Sequence, residues 1–262
     1  MVCIITGASS GVGKACAEYF SKQGYKVYGF SRTKVENASF ESLSVDVTNL
    51  EVVKAAVEQI LSKESQIDFV LNNAGKGMLG SFEDATKQEI FDLFNLNLIG
   101  CLNLVKAVMP QMRKQNSGIF FNVSSVGSSM GLPFRGYYSA SKAALDKCTE
   151  AFRFEIKNTG IQALTLNLGD VDTNIASGRI LSEVSTHYKD VYKRVTDKIG
   201  EHVSAGFDPI EVAYFVEKCL KSKKRLKSSY TLAPFSQKRG VILKKFLPKN
   251  LYEKLLANYS GV

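Results

Sequence analysis

At 262 residues the chain can bury a sizeable core, and a composition of 45% hydrophobic and 23% charged residues with 20 glycines excludes a disordered, collagen-like or low-complexity protein. Five scattered cysteines, odd in number and without a Cys-x-x-Cys pair, argue against a disulfide scaffold or a zinc site and for reduced thiols in a cytoplasmic compartment. The net charge of +9 is concentrated: Lys218 to Lys254 holds twelve basic residues and one acid, which leaves −2 on the rest, so the excess describes a tail and not a nucleic-acid-binding body.

The opening run Val2-Cys3-Ile4-Ile5-Thr6 is too short for a signal peptide, has no basic front end, and reads as a buried strand. No run is expected to reach the ~18 to 20 apolar residues of a membrane span. The strand meets Gly7-Ala8-Ser9-Ser10-Gly11-Val12-Gly13, and a helix with apolar Ala15, Cys16, Tyr19 and Phe20 follows, ending near Gly24. Strand, glycine-rich turn and helix together make a pyrophosphate cradle, because glycines allow close backbone approach and a helix N-terminus favours anionic charge. A second strand, Tyr25 to Phe30, ends in Ser31-Arg32. In a dinucleotide fold this tip meets the adenosine ribose, where an acid would bond a free 2′-hydroxyl. Arg32 stands there instead and suits a 2′-phosphate, so NADP(H) is favoured and NAD(H) is the alternative.

Leu43 to Val47 reads as a third strand, with Asp46 beside Val47 placed to reach the adenine. A helix is expected over 50–63 and a fourth strand over 68–72, which runs into Asn73-Ala74-Gly75. Residues 87–115 predict one long helix, or one broken near Gly100, with Asn97 standing inside an apolar series. A buried amide there must find partners, as a satisfied core group or a functional one. A fifth strand (119–124) leads to Ser125, and the next helix runs from Tyr138 to about Lys157. Tyr138 and Lys142 lie one turn apart on a shared face, where an ammonium would pull the phenol pKa down toward the working range. With Ser125, these residues suggest proton transfer at a carbonyl or alcohol oxygen. The sixth strand (161–167) ends in Leu168-Gly169-Asp170-Val171-Asp172-Thr173.

Residues 174–206 are polar and irregular and read as a substrate-lid segment, with His187 and His202 at the surface and outside any metal-ligand spacing, so no metal is expected. A helix over 208–221 opens on Asp208-Pro209, and Tyr230 to Ala233 closes the strands. Residues 234–262 form a basic extension with a short amphipathic helix. For this tail a solvated flank or a subunit contact ranks ahead of contact with a membrane surface. The alternation of elements predicts one α/β domain over 1–262, a Rossmann-like, doubly wound parallel sheet of about seven strands with helices on both faces and its core over about 2–233.

The ordered motifs Thr6-Gly7-x3-Gly11-x-Gly13, Asp46, Asn72-Asn73-Ala74-Gly75, Asn97-Leu98-x-Gly100, Ser125 and Tyr138-x3-Lys142 resemble those of the short-chain dehydrogenase/reductase (SDR) family. The resemblance covers roughly residues 2–233. It implies a catalytic tetrad of Asn97, Ser125, Tyr138 and Lys142. Tyr138 would be the acid/base, and Ser125 would hold the substrate oxygen. Lys142 would bind the nicotinamide ribose, and Asn97 would support a proton-relaying water. Gly169 keeps the close approach expected after the sixth strand, with Leu168 in place of the family's usual proline, and Val171 and Thr173 fit positions that face the carboxamide. A homodimer or homotetramer is implied by the same resemblance.

The expected activity is interconversion of a carbonyl and an alcohol on an apolar small molecule. The substrate pocket is expected near Met78–Phe82, Met130–Phe134, Tyr137 and the 174–206 segment. A catalytically silent NADP(H)-binding sensor or scaffold is the alternative on the same fold, disfavoured because all four tetrad residues are present. An epimerase or dehydratase fits poorly, since those relatives carry a larger C-terminal domain.

Overall fold

Residues 2–6 are buried along their whole length, which a strand needs when helices cover both faces of its sheet. The computed structural model describes residues 1–173 and 178–262. In chain order the elements are β1 (Val2–Thr6), α1 (Gly11–Lys22), β2 (Lys26–Ser31), β3 (Glu41–Ser44), α2 (Leu50–Leu61), β4 (Phe69–Asn72) and β5 (Met78–Leu79). Then come α3 (Lys87–Phe94), α4 (Gly100–Gln115), β6 (Gly118–Ser125), α5 (Gly136–Glu155), β7 (Ile161–Leu168) and β8 (Ile180–Leu181). The chain closes with α6 (Lys189–Ser204), α7 (Ile210–Leu220), β9 (Ser229–Leu232), α8 (Phe235–Phe246) and α9 (Lys249–Ser260).

Seven strands form one parallel sheet in the order β3-β2-β1-β4-β6-β7-β9, and β5 pairs with β8 separately. One face packs on α1 and α7 through Cys16, Phe20, Val212 and Val216, with Phe20, Phe69 and Phe121 meeting edge to face at 5.1 and 6.0 Å. The other packs on α2 and α4 through Val53, Val57, Leu104 and Val108. The chain therefore winds both ways from β1 and β4, and the loops that leave their carboxyl ends open a crevice at the switch point.

Several expectations shift. The third strand ends at Ser44, so Asp46 lies in the following turn, where its carboxylate accepts from the Thr48 N–H and hydroxyl at 2.9 and 2.7 Å. The helix over 87–115 has a π-helical turn at Asn95–Ile99 between α3 and α4. That composite does have the length and apolarity of a membrane span, contrary to expectation, because no charged residue stands between Asp92 and Lys106. Here it packs against the sheet, with Asn97 and Asn103 in its buried face. The 174–206 segment contains β8 and the four-turn α6, which its polar outer face concealed, while the lid residues 174–177 lie outside the described part. His202 of α6 is half-buried and stacks on Tyr259 at 4.5 Å, whereas His187 is exposed. The tail forms two helices, one more than expected, because Pro248 breaks the run and starts the second.

Gly13 is the tightest point of the glycine turn: a Cβ there would overlap the Gly7 carbonyl and the Asn73 amide, whereas one at Gly131 would meet nothing within 4 Å. Gly13→Ala is expected to lower the unfolding free energy by about 1–3 kcal/mol. Gly131→Ala should leave it within about 0.5 kcal/mol. Urea titrations of both variants check this, and equal stabilities would contradict the packing described.

Candidate active site

Thr6, the last residue of β1, ties the crevice together. Its hydroxyl accepts from the N–H groups of Asn73 and Ala74 at 2.9 and 2.8 Å, and its carbonyl accepts from the Asn73 side chain at 3.0 Å. The loop after β4 is thus fastened to β1 at the start of the glycine turn. Gly7 and Gly11 have φ of +68° and +52°, which a side chain would strain. A Cβ on Gly7 would stand 2.8 Å from the Asn73 amide, and one on Gly11 3.4 Å from Thr173. These constraints leave a backbone-lined groove leading to the N-terminus of α1, where Ser10 holds the N-cap position without a side-chain capping bond, so the first N–H groups of the helix face the groove.

The groove continues into a cavity of about 640 Å³. Of the residues expected to hold the cofactor, Gly7, Ser9, Ser10, Gly11, Val12, Ser31, Arg32, Asp46, Val47, Asn73, Ala74, Gly75, Tyr138, Lys142, Gly169, Val171 and Thr173 line it, and Gly13 packs behind it. Arg32 is exposed at the β2 tip, and among the described residues no carboxylate pairs with it. Gly169 answers a different neighbour from the one expected: a Cβ there would overlap Gln237 of α8 and Ala233. Phe82 and Tyr137 pack on each other at 4.9 Å and do not line the cavity, because the Tyr137 hydroxyl is drawn to the Phe82 carbonyl at 3.0 Å.

The four expected catalytic residues converge from three elements. Ser125 ends β6, and its hydroxyl oxygen accepts from the Gly127 N–H at 3.0 Å, which leaves the O–H available as a donor. Tyr138 and Lys142 line the cavity from the first two turns of α5. The Lys142 ammonium donates to the Val123 carbonyl of β6 at 2.9 Å and is buried, and that burial lowers its pKa to about 8. Asn97 lies behind the lining, 1% exposed, within the π-helical turn. Its oxygen accepts from the Lys76 N–H at 2.9 Å, and its amide donates to the Lys76 carbonyl and the Ser141 hydroxyl at 3.0 and 3.1 Å. A Cβ on Gly75 would stand 3.0 Å from the Asn97 oxygen and 3.3 Å from the Lys142 ammonium, so glycine leaves both side chains room beside that loop.

The electrostatics of Tyr138 differ from the expectation. Burial pushes its phenol above the ordinary value, and the opposing influences are the Ser125 hydrogen bond and the Arg135 and Arg179 guanidinium groups, with Asp170 reinforcing the rise. Lys142 is directed to the β6 carbonyl and is not among those influences. Arg135, Asp170 and Arg179 are the site residues that motif reading missed. Arg135 holds the N-cap position of α5 with its Nε buried and without a partner among the described residues, and Asp170 follows β7. A signal for Arg135 existed, a charge inside the otherwise apolar Leu132-Pro133-Phe134 approach to the helix. Nothing local marked Gln237 of α8, which accepts from the Asp170 N–H at 3.0 Å, donates to the Asp170 carboxylate, and donates to the Tyr259 hydroxyl at 3.1 Å.

A doubly wound sheet with a glycine-lined cradle at its switch point and a Ser-Tyr-Lys cluster beside it defines a nucleotide-dependent oxidoreductase site. Residues 1–182 match the family described as short chain dehydrogenase, and the chain belongs to that family. It is similar to a 3-ketodihydrosphingosine reductase of Bacteroides thetaiotaomicron, 36% identical over all of this chain and 98% of that protein. Among solved structures, a short-chain dehydrogenase of Streptomyces avermitilis aligns over 97% of both chains with a TM-score of 0.83 and 28% identity. A short-chain dehydrogenase/reductase of Burkholderia phymatum in complex with NAD shares the fold, with a TM-score of 0.79 and 23% identity over 93% of this chain and 92% of that one. The chain is accordingly an NAD(P)-dependent dehydrogenase/reductase.

Because the folded pKa of Lys142 lies near 8 and that of a free lysine at 10.5, the unfolded chain binds this proton more readily between those values. The lysine's contribution to stability therefore rises as pH climbs through that window. NMR titration of the cofactor-free protein should place the Lys142 midpoint near pH 8, and Lys142→Met should flatten that part of the stability profile. A midpoint above 10 would contradict the burial argument.

Proposed function

We propose that the chain reduces a ketone carried on a long apolar molecule, with NADPH as the reductant, of the chemical class named for the Bacteroides relative. The observation that carries this reading is the division of the cavity lining. One part is the glycine cradle with Ser125 and Tyr138, and another is largely apolar, built from Met130, Leu132, Leu243, Tyr252, Leu255 and Leu256 with Gln237 and Arg239 of α8 among them. Between them lie Asp170, Arg135 and Arg179, which suit a polar head next to the reacting carbon.

The bound dinucleotide supplies the hydride. The protein's part is positioning and proton transfer. With one lone pair taken by the Gly127 N–H, the Ser125 hydroxyl keeps its hydrogen to donate to the ketone oxygen. Tyr138, held protonated by burial, donates the proton that completes the alcohol, so its raised pKa suits reduction better than oxidation. Lys142, anchored on Val123, holds the nicotinamide ribose, and Asn97 fixes the Gly75–Lys76 backbone on which that arrangement rests. Asp170 accepts the ammonium of an amino-alcohol head. Arg32 at the β2 tip supports NADP(H), since no acid there would take a free ribose hydroxyl. All five cysteines are free, which fits a reducing, cytoplasmic setting.

An NADPH-absorbance assay on a ketone panel, with 3-ketodihydrosphingosine and shorter ketones, tests this reading; turnover confined to small polar ketones would overturn the substrate class. Tyr138→Phe is expected to lower turnover by a factor on the order of 10² or more with NADPH binding nearly intact. Arg32→Asp is expected to move preference from NADPH toward NADH, and equal losses with both would remove Arg32 from the 2′-phosphate site.

A further inference from the structure

We propose that α8 and α9 form a docking face for an anionic lipid surface, set at the mouth of the active-site cavity. Each helix has two unlike sides. The inner side of α8 is fastened to the body through Gln237 on Asp170, Val241 against Val126 and Met130, and Lys244 on the Ser129 carbonyl. In α9 the buried Tyr252 donates to the Met130 sulfur at 3.4 Å.

The outer side is apolar where a solvated helix would be polar. Phe235, Ile242 and Phe246 are 75, 55 and 78% exposed. Their spacing of seven and then four residues stacks them in one stripe. Arg239 lies in the same stripe with its guanidinium 5.7 Å from the Phe235 ring, and exposed Lys238 and Lys245 flank it. Leu251 and Leu255 extend the apolar surface onto α9, 47 and 46% exposed, beside exposed Lys254. Large apolar side chains bordered by long basic ones are what an interfacial helix uses, burying the former among acyl chains and reaching headgroup phosphates with the latter.

Charge decides the occupant. From Phe235 to Ser260 the chain carries six basic residues and one acid, Glu253, which stands 3.9 Å from Lys249. A two-fold contact between copies through this face would set those basic residues against themselves. An anionic bilayer neutralises them. The face also borders the site: Arg239 and Leu255 are exposed and line the cavity as well, so its rim and the docking stripe are one surface. The docking follows from that surface alone. Its use, passage of a long-chain ketone from bilayer to cavity, rests on the substrate class proposed above.

The test is co-sedimentation of the full chain with vesicles of phosphatidylcholine alone and with about one-third phosphatidylglycerol. The protein should pellet with the anionic vesicles, remain in solution with the neutral ones, and be released by added salt. The pair Ile242→Glu and Phe246→Glu should weaken binding tenfold or more, and Lys238→Glu with Lys245→Glu should weaken it by about fivefold or more per residue. Both variants should keep the wild-type thermal midpoint and wild-type reduction of a short, water-soluble ketone, which separates loss of docking from loss of the reductase. The proposal is overturned if the wild type stays in solution with anionic vesicles, if the variants pellet as it does, or if sedimentation velocity finds a dimer that Phe246→Glu dissociates.

Discussion

One threonine hydroxyl sets the geometry of the site. Thr6 stands where β1 ends and the chain must both turn on glycine and meet the loop from β4, and its oxygen takes two backbone N–H groups from that loop. Those groups would otherwise be orphaned at a strand end, at a cost of about 1–3 kcal/mol each. The bond therefore fixes the relative height of the glycine turn and of Asn73-Ala74-Gly75. The contacts between those two loops follow from that height. The Asn73 amide packs against Gly7 and Gly13, and Gly75 passes close to Asn97 and Lys142. A serine at position 6 would keep the hydrogen bonds and lose the methyl that helps to fill this buried junction; a valine would keep the volume and strand both N–H groups.

The same closeness governs the proton chemistry. Lys142 is desolvated and gives one of its hydrogen bonds to a backbone carbonyl, and burial makes its charge easier to lose. Tyr138 is then left to a local balance of burial and Asp170 against Ser125 and two arginines, and burial prevails. A neutral phenol donates, and a phenolate accepts. In the reduction proposed above, a phenol kept neutral by burial is the form that can donate.

Much of this was legible in the sequence. Strand limits in the sheet interior followed from unbroken apolar runs such as Val2–Ile5 and Phe69–Leu71, since a strand covered on both faces buries the side chains on both of its sides. The glycine turn, Asn73–Gly75, Ser125 and the Tyr138–Lys142 pair are short-range patterns, and the fold brought them to one cavity. Illegible features depended on long-range partners. The direction of the Tyr138 shift turns on burial, and the charges that modulate it, Arg135, Asp170 and Arg179, come from the start of α5 and from the two ends of the β7–β8 connection. A helix at 189–204 was hidden because only Val195 and Ile199 are fully buried on it, too few to print a period against sixteen mostly polar positions. The Asn95–Ile99 widening has no compositional mark at all; it is imposed by the need to bring Asn97 to the Lys76 backbone and Ser141 together.

The C-terminal helices show how far a charge count can mislead. A run of lysines after the last strand suggests a solvated flank, yet Gln237 holds the backbone and carboxylate of Asp170, the residue that follows Gly169, and reaches Tyr259, on which His202 of α6 is stacked. That chain of contacts joins the tip of β7, both tail helices and the 189–204 helix around one opening. A Cβ at 169 would overlap Ala233 and displace Gln237 from Asp170, so glycine there keeps this contact in place. The tail and the catalytic body are therefore built against one another. The lysines sit outside because the inner positions of the same helices are taken up by closing the cavity, which leaves charge and exposed phenylalanines to share the one face that remains.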